Sequence, residues 1–245
     1  ENNIREIIME EDDEIFIKTA NLLRKNCINY WVCHGTLLGI IRENRLLPWD
    51  HDIDFAVWSD EVSKDTILEI FIDAGYIQEI VMDEYDNLFF STNNKRIDIN
   101  FYRRKNGIAF AKWVSPTKNS FFIQLYYFIV SEWCHKLDIN RIKVNKGVYK
   151  FSKWIFIQLL LLIKPLIPGS VKKFLNEDVA KRLKYTGYSY PEELMVFNDI
   201  DFMNIKVPVP VDYKKYLELT YGSDWSTPKK NYVWFHEAKN LLEHN

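Results

Sequence analysis

Between Trp49 and Val57 the chain reads WDHDIDFAV, three acidic residues alternating with other side chains and then running into an apolar stretch. Successive side chains of a strand point to opposite faces, so Asp50, Asp52 and Asp54 share one face while Ile53, Phe55 and Val57 share the other. Residues two apart on such a strand stand roughly 7 Å from one another. Carboxylates at that spacing can flank one small cation and leave positions open for phosphate oxygens. Without a cation, three like charges on one face repel. The stretch therefore reads as a strand that holds metal at the edge of a core.

Two neighbouring pieces of sequence fit the same purpose. Asn29 to Cys33 is a short apolar strand, followed by His34-Gly35-Thr36 as a turn and by Leu37 to Arg42 as the start of a helix. Glycine in that turn lets backbone N–H groups approach an anion, Thr36 adds a hydroxyl, and the helix start adds partial positive charge. Further on, Arg96-Ile97-Asp98-Ile99-Asn100 places Asp98 on the face opposite Ile97 and Ile99. A lone acid in an apolar strand needs a partner or a metal. As a ligand, Asp98 completes a three-carboxylate site of hard oxygens suited to Mg²⁺ or Mn²⁺.

The remaining pattern divides the chain near residue 112. Before it, Ile7 to Lys25 and Lys64 to Ala74 have helical spacing, the second stopping at Gly75. Tyr76 to Val81, Asn87 to Ser91 and Arg96 to Tyr102 alternate as strands, with Asn93-Asn94 and Lys105-Asn106-Gly107 as turns. After it, Phe121 to Leu137 and Tyr149 to Ile163 are strongly apolar, and Val171 to Leu183 is amphipathic. Phe202 to Val209 alternates like one edge strand near Pro208 and Pro210, and Asp212 to Tyr221 returns to helical spacing. The expectation is an α+β fold: residues 1–112 form a mixed sheet with flanking helices, and 113–245 form a mainly helical part.

Composition narrows the functional classes. With 34 acidic and 32 basic residues and a net charge of −2, the chain lacks the positive coat of a nucleic-acid binder. Cys27, Cys33 and Cys134 form no Cys-x-x-Cys pair, and the plain reading is reduced cysteines in a cytoplasmic protein. No signal peptide is visible, and the chain begins at Glu1. The apolar run Trp154–Ile163 would reach roughly 15 Å as a helix, about half a bilayer core, so it reads as a buried helix. Its flanking lysines suggest the other reading, peripheral contact with the inner face of the cytoplasmic membrane.

Glycine turn, Asp-x-Asp strand and later single-Asp strand, in that order, resemble the polymerase-beta-like nucleotidyltransferase superfamily. The match sharpens over His34 to Val57, HGTLLGIIRENRLLPWDHDIDFAV, which resembles the signature of the LicD family, to which fukutin and fukutin-related protein also belong. Val207 to Pro228, VPVPVDYKKYLELTYGSDWSTP, resembles that family's closing element. The resemblance covers most of residues 10–110 and then 190–236. Carried over by residue, it implies that Asp52, Asp54 and Asp98 are the catalytic and metal-binding carboxylates. Gly35 and Thr36 would form the phosphate-side turn, and Arg42 would match the arginine after the glycine segment. His34, Asp50, Arg96, Tyr221 and Trp225 are further candidates for substrate contact. One departure stands out: the family's run of three aspartates has His51 in the middle here, on the face away from Asp50, Asp52 and Asp54.

What the resemblance implies is a transferase with Mg²⁺ or Mn²⁺. It would move phosphocholine, ribitol phosphate or glycerol phosphate from a CDP-linked alcohol donor to a glycan or glycolipid acceptor, such as a capsule, lipopolysaccharide or teichoic acid, with release of CMP. Two other readings stay open. One is an idle scaffold or glycan-binding subunit, which His51 alone supports. The other is a nucleotidyltransferase that attacks an alpha phosphate and releases pyrophosphate. Plainer roles exist for single residues too: Arg42 as a surface partner of Glu43 or Asp60, Arg96 as a strand-edge residue, and Tyr221, Trp225 and Trp234 as core aromatics.

Overall fold

The structure is a computed structural model and describes residues 2–78, 86–93, 95–115, 119–134, 159, 162–229 and 232–242. Helix α1 (Asn2–Lys25) precedes strand β1 (Tyr30–Val32), helix α2 (His34–Glu43) and strand β2 (Asp52–Trp58). Helix α3 (Lys64–Asp73) begins where the Ser63 side chain accepts the Thr66 N–H, an N-cap, and is followed by the short strand β3 (Ile77–Gln78). Strands β4 (Asn87–Thr92), β5 (Lys95–Lys105) and β6 (Ile108–Val114) follow. Asn106 and Gly107 turn the chain between β5 and β6, both with positive φ, as a two-residue hairpin requires.

Among the described residues the main sheet runs β1-β2-β5-β4-β3, with β6 against β5. β2 and β5 are parallel, while β1, β4 and β6 join their neighbours antiparallel. On one face of the sheet Phe16 of α1 stacks on Phe55 at 5.5 Å, and on the other Trp31 of β1 lies against Trp58 and Tyr102. The Phe55 face is sealed by buried apolar side chains, while the other face carries polar groups where β2 and β5 begin and aromatic rings at Trp58 and Tyr102 further along.

The chain divides into two compact units, and the division departs from the expected boundary. The first holds residues 1–79, 85–113 and 186–244; the second holds mainly 114–185. Residues 186–244 thus return to the sheet unit, through strand β7 (Tyr185–Pro191), which pairs with β6. A glycine permits that approach. A Cβ built on Gly187 would lie 1.9 Å from the Ala111 carbonyl oxygen, so no other residue fits without movement.

The expected single strand over Phe202 to Val209 is in fact a hairpin, β8 (Phe197–Phe202) and β9 (Ile205–Pro210). It breaks at Met203-Asn204, both with positive φ, and no glycine marks the turn. Both prolines lie in β9, which among the described residues pairs only with β8, so no third described strand asks for their missing N–H groups. Phe197 stacks on Trp31 at 4.6 Å and Phe202 meets Phe16 edge-on, which docks the hairpin onto the core. Helices α6 (Tyr213–Tyr221) and α7 (Trp234–Glu237) close this unit.

In the second unit, helix α4 (Phe121–Cys134) packs on helix α5 (Gly169–Arg182) through Val130, Val179 and Leu183. The expected helix Trp154–Ile163 lies outside the described residues except for Leu159, Leu162 and Ile163, all exposed. Among the described residues no helix is long and apolar enough to cross a membrane.

Gly187→Ala is expected to destabilise the sheet unit by about 1–3 kcal/mol, the range for forcing a group into filled space. Alanine suits a strand interior better than glycine, so propensity alone predicts the opposite sign. Urea denaturation of the two proteins decides between them.

Candidate active site

The parallel register of β2 and β5 sets Asp54 beside Asp98 and Asp52 beside Arg96. Asp54 and Asp98 are buried, at 8% and 5% exposure, while Asp52 is half-buried. The structure shows how this face is balanced. Arg96 donates from Nε and Nη2 to the two oxygens of Asp98, each at 2.7 Å, and from Nη2 to Asp52, also at 2.7 Å. A guanidinium thus stands between two of the three carboxylates, giving Asp98 a charged partner without a metal.

Asp54 has no such partner. Burial, and then the charges of Asp52, Asp98 and Asp50, push its carboxyl well above the usual range. Its relief is modest: the Asn100 amide donates to it at 3.3 Å, while also reaching the Phe55 carbonyl at 3.1 Å and the Cys33 sulfur at 3.6 Å.

Asp50 departs from the expected geometry. β2 begins at Asp52, so Asp50 lies in the turn before it, where its N–H bonds to the Leu47 carbonyl. It still reaches the site from the side, because its carboxylate rests on Gly35. A Cβ on Gly35 would come within 2.0 Å of Asp50 Oδ2. Burial and the neighbouring Asp52 raise the Asp50 carboxyl to about 7. His51 is likewise outside the strand; it is exposed, and its N–H donates to the Asp50 side chain.

The expected His34-Gly35-Thr36 turn is the first turn of α2, whose N-cap is Cys33. Thr36 is buried, and its hydroxyl accepts the Asp54 backbone N–H at 2.8 Å. That oxygen ties α2 to β2. His34 sits at φ 51 with its ring between Tyr188 (4.7 Å) and Trp113 (5.9 Å). Both ring nitrogens are shielded from solvent and have no hydrogen-bond partner among the described residues, and burial lowers the imidazole to about 4. Cys33, His34 and Asp54 each bring one ligand-capable atom within 4.8 Å of the others, a grouping able to hold a metal ion.

Other expected residues separate. Arg42, its side chain only 8% exposed, is held by Glu43 at 2.7 and 3.1 Å, and Glu43 also binds Arg45. Tyr221, at the end of α6, packs on Tyr232 at 5.0 Å; burial, with the charges of Tyr188, Tyr190, Asp54 and Asp50, raises its hydroxyl well above the ordinary value. Trp225 is half-buried in the turn closed by its own N–H on the Gly222 carbonyl.

Sequence reasoning missed Asn100, although it continues the alternation of Arg96 and Asp98. It also missed the ring group Trp113, Tyr188 and Trp234, whose centroids lie 5.4–5.8 Å apart. No local signal joins those three, which come from three distant segments.

An α+β protein with clustered carboxylates on two neighbouring strands is thus on view, and comparison places it among known families. The chain belongs to the LicD/FKTN/FKRP family, whose model, described as a nucleotidyltransferase domain, matches residues 27–155, just over half of the chain. An uncharacterised protein of Rickettsia prowazekii is 42% identical over 59 residues, 24% of this chain and 22% of that one. A human protein named ribitol-5-phosphate transferase FKTN is 20% identical over 232 residues, 93% of this chain and 36% of that one. The chain therefore spans well under two thirds of these relatives. Among solved structures, the lincomycin-bound lincosamide adenylyltransferase LnuA gives a TM-score of 0.41 at 10% identity, covering 88% of this chain and 92% of that one. ANT(2")-Ia in complex with adenylyl-2"-tobramycin gives 0.35 at 11% identity, covering 70% and 98%.

Two buried groups make stability depend on pH in opposite senses. From an ordinary value of 3.8 up to about 7, Asp50 keeps a proton in the folded chain that the unfolded chain has lost, so rising pH weakens the fold. Between an ordinary 6.5 and about 4, His34 stays neutral in the fold while the unfolded chain takes up a proton, so falling pH weakens it. Asp50→Asn is expected to be more stable than the wild type at pH 8, with the gain disappearing as pH falls below about 4, in urea midpoints measured across that range.

Proposed function

We propose that this protein is a metal-dependent transferase. It moves a phospho-alcohol (phosphocholine, ribitol phosphate or glycerol phosphate) from a CDP-linked donor to a hydroxyl of a glycan or glycolipid, and CMP leaves. The observation that carries the reading is the shared face of Asp52, Asp54 and Asp98, with Asp54 buried and short of positive charge. A hard-oxygen donor set of that kind fits Mg²⁺ or Mn²⁺. The relative named a ribitol-5-phosphate transferase adds support for the reaction class.

In this reading Asp52, Asp54 and Asp98 hold the cation, which when bound supplies neutralisation of the donor diphosphate. The acceptor oxygen bonds to the phosphorus of the alcohol phosphate, the bond to the CMP oxygen breaks, and CMP departs with that electron pair. Asp98 helps hold the cation or takes the acceptor's proton, and for either task its oxygens must be released by Arg96. Once released, Arg96 has N–H groups suited to non-bridging phosphate oxygens. The first turn of α2, His34 to Thr36, offers backbone N–H groups to the phosphates. Asn100 and Thr36 keep Asp54 in place, and Tyr221, with Trp225, lies against the sugar.

Incubation with Mg²⁺ and CDP-choline, CDP-ribitol or CDP-glycerol, with CMP and pyrophosphate measured separately, tests the reaction. CMP with transferred alcohol phosphate supports it. Pyrophosphate points to nucleotidyl transfer, and no product from any donor supports the scaffold reading. Asp52→Ala and Asp54→Ala are each expected to abolish CMP release while the protein stays folded, and calorimetry should show Mg²⁺ affinity lost. Near-normal release with unchanged affinity in either would reject the assignment. His51→Asp, altering an exposed group, should change Mg²⁺ affinity less than tenfold, or about 1.4 kcal/mol.

A peripheral attachment through the Trp154–Ile163 segment completes the proposal. Its support is the flanking lysines and the exposure of Leu159, Leu162 and Ile163. Co-sedimentation with anionic liposomes should occur at low salt and fall at high salt; its absence at low salt removes this part alone.

A further inference from the structure

One group beside the aspartates has chemistry that the phosphotransfer reading does not use. Cys33 is fully buried at the N-cap of α2. His34, the next residue, is held in the left-handed region at φ 51, a conformation that costs a non-glycine residue about 1 kcal/mol or more. The strain is matched by no hydrogen bond: among the described residues neither imidazole nitrogen has a partner, and both are closed off from water. A buried imidazole with both nitrogens orphaned is unusual, since such groups are nearly always satisfied. The orphaned ring is not remote from other donors. One of its nitrogens, the Cys33 sulfur and an Asp54 oxygen all lie within 4.8 Å of one another.

We propose that Cys33, His34 and Asp54 form a site for a borderline-soft divalent cation, of which Zn²⁺ is the type, and that this site shares Asp54 with the hard-cation site, so that each occupancy excludes the other. The donor set separates the two cations. Mg²⁺ takes oxygen ligands and dehydrates reluctantly, whereas sulfur, imidazole nitrogen and one carboxylate oxygen are a zinc set. Bond lengths of about 2.0–2.3 Å in a tetrahedral site put ligand atoms roughly 3.3–3.8 Å apart. Small side-chain rotations of Cys33 and Asp54 close the difference, and water or an added ligand takes the fourth position. The Cys33 thiol loses its proton to solvent when the cation binds. Asn100 touches both the Cys33 sulfur and Asp54, and so orients two of the three ligands from behind. The exclusion rests on the hard-cation reading proposed above; the soft site does not. Its consequence is inhibition by zinc, released by chelation.

Cobalt reports the site directly, because thiolate-bound Co²⁺ absorbs in the near ultraviolet and oxygen-bound Co²⁺ does not. The protein with Cys27 and Cys134 replaced by serine keeps Cys33 as its sole thiol. Titrated with Co²⁺, it is expected to develop the thiolate band at one ion per chain. The band should vanish in Cys33→Ser, need at least tenfold more cobalt in His34→Ala, and be displaced by Zn²⁺. No band in the sole-thiol protein up to millimolar cobalt overturns the site, and needs no variant of Cys33 to fold. An unchanged cobalt affinity in His34→Ala overturns it equally. For the shared carboxylate, Mn²⁺ binding followed by its magnetic resonance should weaken at least tenfold when one Zn²⁺ is bound. Unchanged Mn²⁺ binding overturns the exclusion. Absence of Mn²⁺ binding with and without zinc overturns the exclusion together with the hard-cation reading, while the cobalt band still decides the soft site.

Discussion

The parallel pairing of β2 with β5 is the constraint on which the candidate site depends. One register places Asp54 against Asp98 and Asp52 against Arg96 while Phe55 and Ile99 meet on the buried side. A slip by one residue would turn every carboxylate into the aromatic core and every core residue out of it. The apolar face therefore fixes the polar one. Ile53, Phe55, Ile97 and Ile99, with Phe16 stacked on Phe55, hold the register, and the acidic side chains have no alternative placement.

Concentrating carboxylates this way carries an electrostatic cost that the structure meets only in part. Arg96 balances Asp98 and Asp52 with three short hydrogen bonds, while Asp54 has a single neutral amide donor and Asp50 leans on a backbone glycine. Ring packing on the far side of α2 adds a second strain, in His34. A face with surplus negative charge, an arginine that bridges two of its members, and an unsatisfied imidazole at its margin is pre-arranged to take up positive charge. The phosphotransfer proposal and the zinc proposal both grow from that imbalance, one through oxygen donors alone and the other through nitrogen and sulfur.

Much of the fold was legible because its signals are local. Alternation found β2, β4 and β5, glycine and asparagine found the turns beside β5, and helical spacing found α1, α3 and α6. Where the reading went astray, the reason was equally physical. Asp50 fits the alternation but lies in a turn, because pattern does not reveal where backbone pairing begins. The hairpin of β8 and β9 bends at Met203-Asn204, a turn that carries no glycine to announce it. Strand β7 reads as little more than a tyrosine-rich segment, and its place depends on Gly187 fitting beneath the Ala111 carbonyl.

The sequence by itself determined the acidic strand, the order of the three motifs and the family, since these are written in contiguous residues with a fixed period. Tertiary structure alone decided how the carboxylates are balanced and what surrounds them. Arg96 could have faced solvent, Thr36 a ligand, and Arg42 the site. Pairing of strands distant in sequence gave Arg96 to Asp98 and Asp52, Thr36 to the Asp54 amide, and left Arg42 with Glu43. It also brought Trp113, Tyr188 and Trp234 together beside His34, and Asn100 onto both Cys33 and Asp54. Such contacts depend on distances through space between residues tens of positions apart, and periodicity along the chain carries no information about them.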